Sequence, residues 1–335
     1  MSKLRAGLIG LGMMGRHHAR VLGSLDGVDL VAVADAAGDQ HGVAAGRPVL
    51  RSLQELIDLG LDYCVVAVPT RHHEEIGIAL AGAGVHALIE KPLAQDVASA
   101  QRLTQAFDDR GLVGAVGHIE RYNPALQSMR ARLEAGDLGS IYQIATRRQG
   151  PFPSRIADVG VVKDLATHDI DLTAWVARQP FVSVSARVAF KSGRDHEDLV
   201  AVVGQLADGT VTSHLVNWLS PLKERVTIVT GEKGTFVADT LTADLTFYAN
   251  ASVPTEWEAV AAFRGVSEGD VIRYAIPKPE PLRTEHEAFR DAVLDKGSDI
   301  VTLRQGLVTV VVAEAVLASA REGRTVDVAE HAHSA

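Results

Sequence analysis

Residues 163–172, KDLATHDIDL, place Asp164, His168, Asp169 and Asp171 in a segment that otherwise reads as a buried helix. At about 100° per residue, with Asp164 at zero, His168 falls near ~40° and Asp171 near about −20°. Leu165, Leu172 and Val176 gather on one flank of this stripe, and Ala166 and Ile170 on the other. Asp169 points away from it and is expected in solvent. The chemistry such a stripe offers is proton transfer, because an imidazole titrates near ~6.5, close to working pH. The bland alternative is that Asp164 caps the helix, Asp171 bonds backbone or a neighbouring subunit, and His168 is a satisfied core residue.

A second set of residues points to a dinucleotide. GLIGLGMMGRHHARVL carries Gly10, Gly12 and Gly15 in a GxGxxG pattern that follows one apolar run and opens a helix. Asp35 ends the next apolar run, at the place where an acid reads the ribose hydroxyls. Gly10 permits the tight turn, Gly12 lets the backbone approach a pyrophosphate, and Gly15 lets helix and sheet pack closely. The amides of Met13 and Met14 are expected to face the phosphates at the positive helix end. A carboxylate at Asp35 repels a phosphate on the same ribose, and the following AAG offers no arginine to hold one. The expected cofactor is NAD rather than NADP.

These groups need a scaffold, and the pattern supplies one. Apolar runs near residues 4–9, 28–35, 62–68, 86–90 and 112–118 alternate with helix-like segments. Runs without polar alternation indicate strands buried on both faces of a parallel sheet, hence a doubly wound α/β domain. LIEKPLA sets Glu90, Lys91 and Pro92 directly after one such strand, where open α/β sheets bind ligands. Beyond about residue 120 the pattern changes to a helix near 124–135, then strands in succession. Asp208-Gly209 and a glycine-containing turn near 232–234 mark two hairpins. Two final helices, near 282–295 and 303–320, are expected to cover that sheet or to pack back on the first domain. The expected fold is α/β, with a dinucleotide-binding domain over 1–120 and a substrate-binding and oligomerisation domain with a large, mostly antiparallel open sheet over 121–330.

GLIGLGMMG, AVPTRHHEEI, EKPLA and the Asp-x-x-x-His of DLATHDIDL together resemble the glucose–fructose oxidoreductase / inositol dehydrogenase (Gfo/Idh/MocA) family of sugar dehydrogenases. The matching pieces run through both domains in order. The resemblance implies a Rossmann domain plus an open-sheet domain often used for oligomer contacts, here a homodimer or homotetramer. It places Lys91 near the nicotinamide and the reacting hydroxyl, after a Lys91-Pro92 bond that is often cis in relatives. Pro69, Thr70 and His73 match a stretch lining the cofactor, as Glu90 and Lys91 do, whereas His72 falls outside the pattern and is expected to be exposed. Asp164 and His168 match the catalytic spacing. His168 is then expected to accept the hydroxyl proton, Asp164 to orient the site and Lys91 to donate to the developing alkoxide. Lys91 and His168 exchange roles in an alternative that the sequence leaves open, and Asp171 stays mainly structural.

Composition bounds the alternatives. The chain has 335 residues, 47% hydrophobic, with net charge −9, so nucleic acid is not an expected partner. The single cysteine, Cys64, lies in an apolar run and agrees with a reducing, cytoplasmic compartment. No tripartite signal opens the chain, and the apolar stretch 306–320, interrupted by Glu314, is read as too short to span a bilayer. His17-His18 and His72-His73 are adjacent pairs, so no metal site is expected.

The substrate is carried by residues 147–172. Arg147, Arg148, Arg155 and Lys163 surround a proline-containing loop, and several arginine forks there suit a diphosphate. The wording GPFPSRIADVGVVKDLATHDID, and GHIERYNPA with Arg121, Tyr122 and Asn123, resembles members acting on nucleotide sugars, in particular UDP-N-acetylglucosamine 3-dehydrogenases. The resemblance therefore implies oxidation of a ring hydroxyl on a UDP-amino sugar. A free-sugar or inositol dehydrogenase is the alternative, and a non-catalytic NAD-binding regulator the reading from another class.

Overall fold

Tight turns and short buried strands assemble the first of two compact units, which comprises Met1–Ile119 and Glu280–Glu314. The computed structural model describes residues 3–152, 159–250 and 268–334. In this unit β1 (Leu4–Ile9), β2 (Val28–Ala34), β3 (Val49–Leu50), β4 (Tyr63–Val66), β5 (His86–Glu90) and β6 (Gly114–Gly117) form a parallel sheet in the order β3-β2-β1-β4-β5-β6. The connecting helices are α1 (Met13–Leu22), α2 (Leu53–Ile57), α3 (His73–Gly82) and α4 (Val97–Asp108). Tyr63, Cys64, Val65 and Val66 are all fully buried, as a central strand covered on both faces requires. Strand order reverses between β1 and β4, which makes their carboxyl ends the crevice of a doubly wound sheet.

The helix α7 (Pro281–Val293) belongs to this unit. Phe289 enters the core beside Leu8 and Val65 and meets Tyr63 edge-on at 5.3 Å. Of the two sequence alternatives for this helix, packing on the first unit is the one realised. Its apolar face fits either partner, and only the tertiary contacts choose.

The second unit comprises Glu120–Pro279 and Ala315–His333. Its elements are α5 (Pro124–Glu134), β7 (Ile141–Pro151), α6 (Thr167–Ala177), β8 (Phe181–Ala189), β9 (Leu199–Leu206), β10 (Val211–Asn217), β11 (Leu219–Gly231), β12 (Gly234–Asp239), β13 (Asp244–Asn250), β14 (Glu268–Arg273) and β15 (Val326–Asp327). They pair as β14-β13-β12-β11-β7-β10-β9-β8-β15. The Asp208-Gly209 hairpin forms as the sequence predicts. Gly209 takes φ +90, and Asp208 Oδ1 accepts the Thr210 N–H at 2.9 Å. The sheet is antiparallel except where β10 lies parallel to β7, because β7 inserts between β10 and β11. Sequential neighbours are thus separated by a strand from 60 or so residues earlier, which local patterning does not reveal.

One face of the sheet packs on α5 and α6 through Leu126, Met129, Leu172, Trp175 and Phe236. The helix α8 (Leu303–Glu322) is longer than the apolar stretch read from the sequence. By length and composition its 20 residues suffice to cross a membrane, which corrects the expectation that the segment is too short, but 61% of its most apolar window is buried within the protein. In its last turns Ser319 Oγ accepts the Ala186 N–H of β8 at 3.0 Å. A short helix, α9 (Val328–Ser334), ends the described chain.

Candidate active site

The glycine loop between β1 and α1 has the geometry its residues demand. Gly10 has φ +95, and a Cβ there would stand 2.5 Å from the Ala67 carbonyl oxygen across the crevice. A Cβ on Gly15 would lie 2.0 Å from the Gly10 oxygen, so the helix can approach the loop only with glycine. A Cβ on Gly12 meets nothing within 4 Å: the loop is bare at the position where a pyrophosphate must approach. Met13 and Met14 open α1, and no side chain caps it. These features fit a dinucleotide phosphate cradle.

Asp35, at the end of β2, accepts the Leu11 N–H on Oδ2 and the Ala37 N–H on Oδ1, both at 2.8 Å. The carboxylate therefore ties the glycine loop to the turn after β2 and keeps further lone pairs for other donors. The sequence reading missed one neighbour. The Asp35 N–H donates to the Leu50 oxygen, so Arg51 emerges beside the loop that follows Asp35. Its guanidinium donates to the Ala36 oxygen at 3.2 Å and covers Gly38, where a Cβ would stand 2.7 Å from Nη1. Arginine is absent from the loop in sequence and present in space.

Pro69 and Thr70 lie in the turn after β4, and His73 begins α3. His73 is buried, with Nε2 3.0 Å from the Val68 oxygen and Nδ1 3.0 Å from the Pro92 oxygen. It ties the β4 loop to the loop after β5, and burial pushes its pKa down. His72, expected in solvent, is half-buried and accepts from Arg71 Nε at 3.1 Å. Lys91 follows β5, is half-buried, and is joined to Pro92 by a cis bond, as expected by resemblance. Its own N–H donates to Glu90 Oε2 at 3.1 Å. Glu90 is buried and accepts from His18 at 2.8 Å. Burial pushes its carboxyl up, but His18 and the charge and N–H of Lys91 outweigh that and leave it below its ordinary value.

In the second unit the helix of the stripe starts differently from the expectation. Val162–Ala166 form a wide π-helical turn before α6, so Asp164 does not keep a uniform 100° spacing to His168. Asp164 is inside this turn, with its N–H donating to the Gly160 oxygen, and is not an N-cap. Asp164, His168 and Asp171 are all buried, and Lys163 is half-buried in the same turn.

Two buried ion pairs anchor α6 on either side of His168. Arg121 grips Asp171 with both prongs, at 2.7 and 2.5 Å. Arg148 Nε holds Asp169 at 2.9 Å while its Nη1 holds Glu120 at 2.8 Å. Asp169, expected in solvent, is 2% exposed, because α6 is buried all round and its far face meets β7 rather than water. Arg148 likewise departs from the expected diphosphate cluster. Adjacent residues of a strand point to opposite faces, so Arg148 goes inward to two acids and Arg147 outward to Glu224 at 2.6 Å. Burial pushes the Glu120 carboxyl up, but Arg148 and then Arg225 bring it below its ordinary value. For Asp169 burial prevails over Arg148 and the carboxyl is raised.

Tyr122 is buried, and Asn123 caps α5: its Oδ1 accepts the Ala125 N–H and its Nδ2 donates to the Thr240 oxygen, each at 3.0 Å. Arg155 lies outside the described residues. Among the described residues no cluster of His, Cys, Asp and Glu is arranged to hold a metal.

Comparison with known proteins adds independent findings. A model of an oxidoreductase family with an NAD-binding Rossmann fold matches residues 4–118, and the Gfo/Idh/MocA C-terminal domain matches residues 126–237. The chain is similar to a UDP-N-acetylglucosamine 3-dehydrogenase from Acidithiobacillus ferrooxidans, 33% identical over 215 residues, 64% of this chain and 66% of that protein. It is also similar to a myo-inositol dehydrogenase from Streptomyces leeuwenhoekii, 30% identical over 68% of this chain and 74% of that protein. In three dimensions a solved UDP-N-acetylglucosamine 3-dehydrogenase from Acidithiobacillus ferrooxidans superposes with a TM-score of 0.83 at 26% identity, covering 96% of this chain and 99% of that one.

Proposed function

The chain belongs to the Gfo/Idh/MocA oxidoreductase family, and from that premise we propose that it oxidises a secondary ring hydroxyl of a sugar, a UDP-amino sugar first among them. The observation that carries the reading is the pairing of a glycine loop closed by Asp35 with a lysine set directly after β5. NAD, when bound, supplies the hydride acceptor.

The remaining work falls to side chains of this chain. His168 accepts the hydroxyl proton, a task suited to an imidazole. Lys91 donates a hydrogen bond to the oxygen as it gains negative charge. Asp164 orients the site from the π-helical turn. The ion pairs of Asp169 and Asp171 fix the rotation of α6 and with it the direction of His168. In the companion assignment Lys91 and His168 exchange the roles of donor and acceptor.

The similarity to UDP-N-acetylglucosamine 3-dehydrogenase supports the nucleotide sugar. The similarity to an inositol dehydrogenase supports a cyclitol as the second reading. Self-association is part of the proposal, through the sheet face that exposes Val203, Val211 and Leu215. The test is NAD reduction across a panel of UDP-sugars, free sugars and cyclitols, with His168→Ala and Lys91→Ala alongside. Turnover on a UDP-amino sugar is expected, reduced by about two orders of magnitude or more in each variant while NAD still binds. Activity on myo-inositol and none on UDP-sugars reverses the substrate order. Cofactor binding with no reduction of NAD across the whole panel favours a regulator.

A further inference from the structure

The first unit holds a buried polar chain that the reaction as described does not use. His18, on the inner face of α1, places Nε2 2.8 Å from Glu90 Oε1 and Nδ1 2.8 Å from His286 Nε2 of α7. His17, its neighbour in sequence, is exposed on the other side of the helix. Glu285, also on α7, is 1% exposed, and neither of its carboxyl oxygens has a hydrogen-bond partner among the described residues. Glu90 closes the chain at the other end, where Oε2 accepts the N–H of Lys91.

Donor and acceptor roles follow from the connectivity. An ionised Glu90 only accepts, so His18 donates to it from Nε2, while its Nδ1 and His286 Nε2 share a second hydrogen bond. Burial pushes the pKa of His286 well down, and a charge on His18 adds to this. Burial and then the charge of Glu90 raise the Glu285 carboxyl well above its ordinary value. Four titratable side chains from three elements therefore meet in one buried cluster, with the depressed carboxyl at Glu90 and the raised one at Glu285.

We propose that His18 and His286 are positioning residues for the reaction: through Glu90 they fix the backbone of Lys91 at the end of β5. The inference rests on the role of Lys91 given above. The groups that face Glu90 are His18 from α1, His73 from α3, Lys91 directly after its own strand, and Glu285 from α7, with His286 of α7 reached through His18. From β6 it meets Gly117, where a Cβ would stand 3.3 Å from the carboxyl and press on it.

The variants His18→Leu and His18→Gln separate the donor from mere bulk, since the glutamine amide can still donate to Glu90. In His18→Leu the carboxyl keeps its burial and loses its donor, so its pKa rises. The acid shoulder of the Tm profile, which reads this ionisation without turnover, should move up by about one to two pH units, the size of one hydrogen bond to a charged group. Turnover should fall at least about tenfold with KM for NAD unchanged. His18→Gln should restore both the shoulder and most of the turnover. A depressed carboxyl stabilises the fold above its unfolded pKa, and that stability is lost as pH falls through the folded value, so the shoulder in His18→Leu should move up. His286→Leu removes only the outer hydrogen bond of the chain and should give a smaller shift of the same sign, which carries the test where His18→Leu does not fold. An unmoved shoulder, or a glutamine variant as impaired as the leucine one, overturns the network. A shoulder that moves as expected in His18→Leu, beside a wild-type chain that reduces no NAD, overturns instead the role of Lys91.

Discussion

Replacing Arg148 by methionine should be among the most damaging single changes in the second unit. The side chain is 4% exposed and bridges two carboxylates, Glu120 at 2.8 Å and Asp169 at 2.9 Å, whose side chains are 8% and 3% exposed. Methionine fills much of the volume but leaves two buried acids without the cation between them, and Arg225, 3.4 Å from Glu120 and 34% exposed, offsets them weakly. Removing one partner of a buried pair costs about 3–5 kcal/mol, because the remaining charge stays desolvated. For a unit of this size that is a fall in Tm of roughly 6–20 °C. The pH dependence carries the sign. Glu120 is held below its ordinary value in the wild type, so it stabilises the fold at neutral pH, and that contribution fades as pH falls through the folded pKa. In Arg148→Met both acids are raised and are neutralised on mild acidification, so the variant loses less as pH falls. The gap in Tm between the two proteins should therefore narrow between about pH 7 and about pH 4.5. Calorimetry or circular dichroism at the two pH values measures it. A deficit below about 1 kcal/mol at neutral pH, or one that is the same at both, refutes the view that these charges are desolvated and mutually dependent.

Two further outcomes follow from single groups. Asp35→Ser should raise kcat/KM for NADP by about tenfold or more, because the repelling carboxylate goes while Arg51 stays over the loop; adding Arg51→Ala should cancel most of that gain, and equal NADP use with and without Arg51 counts against its placement. Glu285→Gln should raise Tm at neutral pH and lose that advantage near about pH 4, since a carboxyl raised by burial weakens the fold as pH climbs above its unfolded pKa. A constant offset across that range would show that Glu285 is not the titrating group.

Gly10, Gly12, Gly15 and Asp35 were legible because their roles are local. A turn, a close approach and a strand end are set by residues within a few positions, and each has a known backbone requirement. The buried strands and the two hairpins were legible for the same reason, through period and turn chemistry. Asp169 was misplaced because helical angle separates the faces of α6 but says nothing of what covers each face, and Arg148 because strand alternation turns it inward, away from Arg147. Arg51 was missed because spatial nearness to the loop after Asp35 comes from the β2–β3 pairing, not from sequence distance.

The amino-acid order by itself therefore determined a dinucleotide-type β–α–β start, the lysine after its strand, and the polar stripe around His168. Tertiary structure decided which charges are buried and with whom. His18 meets His286 across 268 positions of chain and Arg121 meets Asp171 across 50. A buried charge or imidazole requires a partner, and only the folded chain can bring that partner within hydrogen-bond reach.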